Sequence, residues 1–305
     1  MPLRITIAGD IGSGKSTIAR RLAEIAGVEP LSTGGIQRQL AQKRGVSVLE
    51  LNRLAEEDAS IDRDIDGYLM HLPQGDLVVE SRMAWHFVPD TLKVYLYISD
   101  QAAARRIVGA QRSDEGYQTI ADATAPILAR RKSEIHRFKK YYNVDIDDLR
   151  NYELVVDTTF ASINEVASQI TRPHDFQKKP TCLIDPRNLV PTRGTQHSVA
   201  QSSTVEESIR RSGFDLDKPI ATLYVDHVLY IVDGHARAAA ALRTETKFVT
   251  CVIRASNSEP YLGDVSARQY VKNAVSNGLI SEWEAAAAFR YEGEIWKGRA
   301  AEGCF

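Results

Sequence analysis

Gly9-Asp10-Ile11-Gly12-Ser13-Gly14-Lys15-Ser16 decides how the first half of this chain is read. The stretch fits G-x-x-x-x-G-K-[ST], follows an apolar run at Arg4–Ala8 and opens a helical pattern over Lys15–Ala26. That strand, loop and helix context is the one the spacing requires. Glycines let backbone N–H groups turn inward around phosphate oxygens, and the following helix adds the positive end of its dipole. Lys15 is the candidate bridge to a transferred phosphate, and Ser16 carries a hydroxyl suited to Mg²⁺. Gly12, Ser13, Gly14, Lys15, Ser16 and Thr17 are therefore the candidate ATP-binding residues.

Working outward, short apolar runs at Asp76–Glu80, Lys93–Ile98 and Glu153–Val156 read as further strands, separated by helical stretches. Strands alternating with helices predict an α/β fold with a parallel sheet covered on both faces. The charged segment Gln101–Arg150 is expected to be mostly exposed helix, as is the acidic cluster Glu56–Asp66, for which a role in ribose or base recognition is the alternative. Ser162–Ile170 closes the pattern. Two prolines and a polar cluster at residues 172–180 then break it. The predicted organisation is a first domain over 1–171, a linker over 172–180, a smaller α+β domain over 181–256 and a helical tail over 257–305.

The 305 residues carry 38 Lys and Arg against 40 Asp and Glu, a net charge of −2, and 43% are apolar. Bulk charge thus excludes a strongly basic nucleic-acid binder, while the apolar share supplies a core for two domains. Cys182, Cys251 and Cys304 are odd in number and widely spaced, so neither a disulfide framework nor a C-x-x-C site is expected. The start has too short an apolar run for a signal peptide, and no later run reaches the length of a membrane span. A soluble cytoplasmic protein is the expectation.

The phosphate loop alone does not separate a GTPase, a motor and a small-molecule kinase. Leu31-Ser32-Thr33-Gly34-Gly35-Ile36-Gln37-Arg38 follows the first helix at a distance that suits an acceptor-binding turn, with Ser32 and Arg38 as candidate contacts. At Val78-Val79-Glu80-Ser81-Arg82-Met83-Ala84, Ser133-Glu134-Ile135-His136-Arg137-Phe138, Tyr141-Tyr142-Asn143-Val144-Asp145 and Tyr152–Thr159, in that order, the chain resembles the archaeal-type cytidylate kinases, over roughly residues 3–170. The resemblance implies a nucleoside monophosphate kinase fold using ATP and Mg²⁺. It implies that Arg82, at the end of its strand, works with Arg38 on the acceptor phosphate. It further implies that Arg106, Arg112, Arg131 and Arg137 close over the ATP phosphates, with Lys15, Arg131 and Arg137 catalytic. The family's acceptor turn carries an acidic residue where this chain has Gly35, so the implied acceptor is CMP or a related nucleotide.

In the second half, Thr204–Gly213 and Ala236–Thr244 read as helices, and Pro219–Tyr224, His227–Val232 and Thr246–Ile253 as strands. Asp233-Gly234-His235-Ala236-Arg237 lies between a strand and a helix, where backbone N–H groups and Arg237 suit a phosphate. With Leu189-Val190-Pro191-Thr192, Pro219-Ile220 and Ile231–Arg237, this half resembles the ParB/sulfiredoxin-like domains. The resemblance implies nucleotide binding or catalysis at Asp233, Gly234, His235 and Arg237. The sulfiredoxin activity is excluded, because the expected cysteine is missing from the turn.

Three functions stay open at this stage. The first is an ATP-dependent phosphotransferase acting on CMP or a related nucleotide. The second is a kinase of a specialised metabolite such as a hydroxy amino acid or a modified nucleotide. The third is a ParB-like regulator binding CTP and DNA, against which stands the absence of a basic recognition helix. The expected partner is a small-molecule acceptor, with neither DNA nor a membrane.

Overall fold

A computed structural model describes residues 3–57, 60–72, 74–109, 119–173, 181–194 and 199–291. The chain divides into two compact units, residues 1–98 with 102–176, and residues 99–101 with 177–305.

The first unit runs β1 (Arg4–Gly9), α1 (Lys15–Ala26), β2 (Leu31–Ser32), α2 (Thr33–Arg44), α3 (Val48–Glu57), α4 (Ser60–Leu69), β3 (Leu77–Glu80), α5 (Ala84–Phe87), β4 (Leu92–Tyr97), α6 (Asp100–Gly109), α7 (Ile120–Tyr142), β5 (Leu154–Asp157) and α8 (Ile163–Thr171). Its strands lie in the order β2-β3-β1-β4-β5, all parallel, with Ile5 opposite Val78 on one side and Leu92 on the other. Ile5, Ile7, Val78, Val94 and Val155 are fully buried, as strands covered on both faces must be. Chain order reverses at β1, between β3 and β4. A crevice therefore opens beyond the carboxyl ends of β1 and β3, the place where open α/β sheets bind ligands.

The second unit runs β6 (Thr181–Ile184), β7 (Leu189–Pro191), α9 (Val199–Ser212), β8 (Ile220–Val225), β9 (Val228–Asp233), α10 (His235–Arg243), β10 (Val249–Ser256), β11 (Pro260–Leu262), β12 (Val265–Ser266), α11 (Ala267–Ala274) and α12 (Asn277–Ala287). Its mixed sheet has the order β6-β10-β8-β9-β7. β8 and β9 form a hairpin whose turn residues Asp226 and His227 both have positive φ, the geometry that matches strand twist. The segment expected as a tail supplies β11, β12, α11 and α12, and buries Ile280, Trp283 and Ala287. Tail residues from 292 onward, and the linker from 174 onward, lie outside the described residues.

The expected strands of the first half fall within one residue of β1, β3, β4 and β5. Two segments expected to be exposed each bury part of themselves. On α7, Ala123, Ile127, Arg131, Glu134 and Phe138 form one buried stripe at helical spacing. Its two charged members are paired inside the protein, while Arg130, Lys132, His136, Lys139 and Lys140 stay exposed on the rest of the helix. Asp66, from the acidic cluster, is buried as well. β2 and β7 were not expected as strands, since two or three residues carry no readable period.

Candidate active site

The loop between β1 and α1 is held by three glycines. Gly9 has φ 145°, and a Cβ there would lie 2.4 Å from the Leu96 carbonyl oxygen on β4. Gly14 has φ 85° and precedes α1 with no side-chain cap, which leaves the first N–H groups of that helix for an anion. Beneath the loop, the buried Asp10 carboxylate accepts from Tyr95 Oη at 2.8 Å, the Ile98 N–H at 3.0 Å and Arg131 Nη2 at 2.8 Å. Ser13 Oγ donates inward to the Asp10 carbonyl.

Lys15 Nζ donates to the carbonyls of Gly9 and Asp10, at 3.0 and 2.5 Å. Burial first, and then the neighbouring Arg82, lower its pKa to about 7, against the pull of Glu80, Asp10 and Glu134. An arriving phosphate adds negative charge and moves that pKa back up. At pH 8 nucleotide binding is thus expected to take up a proton. Calorimetric titrations in buffers of different ionisation enthalpy should give heats that differ accordingly, and equal heats would refute it.

At the end of β3, Glu80 accepts from Ser16 Oγ through Oε1 and from Ser32 Oγ through Oε2, each at 3.0 Å. One carboxylate thereby joins the phosphate loop to the turn at β2. Two residues on, the Arg82 guanidinium pairs with Glu134 of α7, which also accepts from Arg130 Nε at 3.2 Å. Burial lowers the Arg82 pKa, and Glu134 opposes it. The Arg137 guanidinium stacks 4.9 Å over the Phe138 ring. Arg106 donates to the Thr159 carbonyl at 3.3 Å and to Thr158 Oγ1 at 3.4 Å.

These elements enclose a cleft of about 390 Å³. It brings together the predicted residues Gly12, Gly14, Lys15, Ser16, Thr17, Ser32, Arg38, Arg82, Arg106 and Arg137. Arg130, Gln37, Glu80 and Glu134 line it too and were missed from sequence, and Asp66 of the acidic cluster joins them. Among the described lining residues, six side chains are cationic and three are carboxylates. Such an excess of cations suits two phosphate-bearing reactants held end to end.

Arg131 is a correction. Its side chain is 6% exposed and tied to Asp10 below the loop, and it is not among the residues that line the cleft. The next cation along α7, Arg130, occupies the lining in its place. Ser13 likewise faces inward, and Arg112 lies outside the described residues.

Ser16 and Glu80 converge as two hard oxygen donors, a set that fits Mg²⁺. Among the described residues no group of three or more His, Cys, Asp or Glu is arranged to hold a metal. Mg²⁺ here would depend on nucleotide phosphates and water for most of its ligands.

In the second unit, His235 opens α10 and its Nε2 accepts the Thr192 N–H at 3.3 Å. Burial, helped by Arg193, lowers its pKa to about 4, so the ring is neutral at pH 7. Arg237 Nη1 donates to the Pro219 carbonyl at 2.9 Å, and Nη2 lies 3.3 Å from Asp233 Oδ2. Gly234, at φ 92°, makes room for that guanidinium. Both side chains thus bond to groups around the turn itself.

The sequence profile of the cytidylate kinase-like family matches residues 4–160. The chain is 41% identical over 155 residues to the cytidylate kinase of Methanothrix thermoacetophila, covering 50% of this chain and 87% of that protein. It is 42% identical over 158 residues to the cytidylate kinase of Halobacterium salinarum, covering 50% and 80%. Among solved structures, a shikimate kinase from Bacteroides thetaiotaomicron superposes with a TM-score of 0.39 at 14% identity, over 56% of this chain and 97% of that one. The matched residues are those that build the phosphate loop, the Glu80–Arg82 strand end and the arginine-bearing helix α7, and on them the chain belongs to the cytidylate kinase-like family, as an ATP-dependent kinase of the nucleoside monophosphate kinase type.

Proposed function

We propose that the first unit transfers the γ-phosphoryl group of ATP to CMP. The supporting observation is the single cleft in which a phosphate-cradling loop faces Arg38 and Arg82 across the ends of neighbouring parallel strands. An acceptor phosphate oxygen attacks Pγ in line, the bond from Pγ to the bridging oxygen breaks, and the electron pair leaves with ADP. A phosphate monoester oxygen is already nucleophilic, so no strong general base is needed. Catalysis then rests on position and charge.

The α1 N-terminus and Lys15 hold the β- and γ-phosphates. Arg106, Arg130 and Arg137 cover them from the α6 and α7 side. Arg38 and Arg82 seat the acceptor phosphate, and on its arrival Arg82 exchanges Glu134 for a phosphate oxygen. Ser16 and Glu80 would hold Mg²⁺, which would supply charge neutralisation to the nucleotide phosphates. The names of the relatives support CMP as acceptor.

The second unit is read as a ParB/sulfiredoxin-like accessory domain that binds a nucleotide product. Its support is the uncapped start of α10 behind the left-handed Gly234. No helix among the described residues is long and apolar enough to cross a membrane.

A coupled ADP-release assay with ATP and Mg²⁺ tests the main reading. Among CMP, dCMP, UMP, AMP and free serine, CMP is expected to give the fastest turnover. Silence with every nucleotide would overturn it. Serine phosphorylation unaffected by a Lys15 substitution would move the chemistry to the second unit.

A further inference from the structure

The cleft holds a buried carboxylate, on the far helix α4, that phosphate chemistry does not call for. Asp66 lies on α4, is 7% exposed and lines the cleft. The hydroxyl of Tyr142, at the end of α7, donates to Asp66 Oδ2. Leu69 lies one turn along α4 from Asp66, and Phe138 one turn before Tyr142, and both line the same cleft with Met83. Met83, Phe138 and Tyr142 belong to one apolar cluster, with the two ring centroids 6.0 Å apart.

A carboxylate here repels phosphate and accepts hydrogen bonds. It suits the part of an acceptor that carries N–H or O–H donors. The apolar side chains beside it suit a flat ring, since ligand pockets join apolar walls to a few placed polar groups. Resting on the reading of a nucleoside monophosphate acceptor, we infer that Asp66 reads the base by accepting from the exocyclic amino group of cytosine. Uracil carries a carbonyl oxygen at that position, which would face the carboxylate acceptor to acceptor. Tyr142 uses its one O–H on Oδ2 and so fixes the orientation of the carboxylate. Asp66 is thus the specificity residue and Tyr142 the positioning residue.

The test uses the full chain, with steady-state kinetics and equilibrium binding for CMP, dCMP, UMP and the analogue of CMP that lacks the 4-amino group. The wild-type protein is expected to favour CMP over both UMP and the analogue by about tenfold or more in kcat/KM, the scale of leaving a hydrogen-bonding group unmatched. Asp66→Asn retains the shape and can accept from Tyr142, yet its amide also donates. It is expected to shrink the CMP to UMP ratio by about tenfold, mainly by improving UMP. Tyr142→Phe is expected to raise KM for CMP while the protein still prefers CMP.

Equal loss of CMP and UMP activity in Asp66→Asn would overturn the inference, as would full wild-type activity on the analogue. A loss confined to ribonucleotides, with dCMP unaffected, would place Asp66 on the sugar and also overturn it. The analogue needs no variant, so a poorly folded protein does not block the test. Intact CMP turnover with an unmoved ratio refutes this inference alone, whereas a wild-type protein that neither binds nor phosphorylates CMP refutes the acceptor reading with it.

Discussion

Lys15→Met is expected to reduce kcat for ATP-dependent phosphorylation by roughly 10²–10³ or more, the scale seen when one preorganised charge or donor is removed from a transition state. Lys15 is the cation next to the loop proposed to receive the β- and γ-phosphates, and its two hydrogen bonds go to the Gly9 and Asp10 carbonyls. Charge develops on the transferred group and the leaving oxygen, where Lys15 is placed, so the loss should fall on kcat more than on KM for the acceptor. Folding should not suffer. The Lys15 pKa is lowered to about 7 from the ordinary lysine value near 10.5, chiefly by burial. For a base whose folded pKa is depressed, holding the proton in the folded state costs stability, fully below pH 7 and decreasingly up to the unfolded pKa. Replacing Lys15 by methionine removes that cost. The variant should therefore melt no lower than the wild type at pH 6, and its relative advantage should fade toward pH 10. A variant that loses activity and stability together at pH 6 would mean that Lys15 braces the loop.

Arg131→Ala is expected to act in the opposite sense, on stability before chemistry. The side chain is 6% exposed and its partner Asp10 1% exposed, with Nη2 2.8 Å from Oδ1. Removing one member of a buried pair leaves an uncompensated charge and costs about 3–5 kcal/mol. The urea midpoint should fall sharply. The double variant Asp10→Asn with Arg131→Met should recover most of the loss, because both charges leave together. The folded fraction of Arg131→Ala should show less change in KM for ATP than Arg130→Ala, whose side chain lines the cleft. If Arg131→Ala is as stable as wild type and instead loses ATP affinity, the guanidinium belongs on phosphate after all.

The contrast between these two cations marks what sequence could and could not convey. Lys15 was legible because the glycine spacing, the preceding strand and the following helix all constrain one position. Arg82 was legible through the resemblance of its strand end to that of the cytidylate kinases. Arg130, Arg131 and Lys132 are consecutive cations about 100° apart around a helix, and composition cannot say which one faces the cleft. A signal was nevertheless present: Ala123, Ile127 and Phe138 define an apolar stripe, and the helical period places 131 and 134 on it. Asp66 was hidden for a related reason. It sits in a run of acidic residues, and its burial depends on Tyr142, 76 positions away. Strands of two or three residues, such as β2 and β7, owe their form to neighbouring strands.

The first glycine of the phosphate loop answers to a different demand from the last. At Gly9 any side chain would strike the backbone of β4, including the Leu96 carbonyl oxygen, whereas at Gly14 a Cβ would meet nothing within 4 Å. Gly9 thus serves the closure of the sheet, and Gly14 needs only a left-handed backbone, which asparagine also adopts. A descendant of this chain that had stopped binding nucleotide would still be held to glycine at position 9, while position 14 drifted. A loop that has kept its first glycine is therefore a record of ancestry, and the state of its third is the better witness to whether the site is still in use.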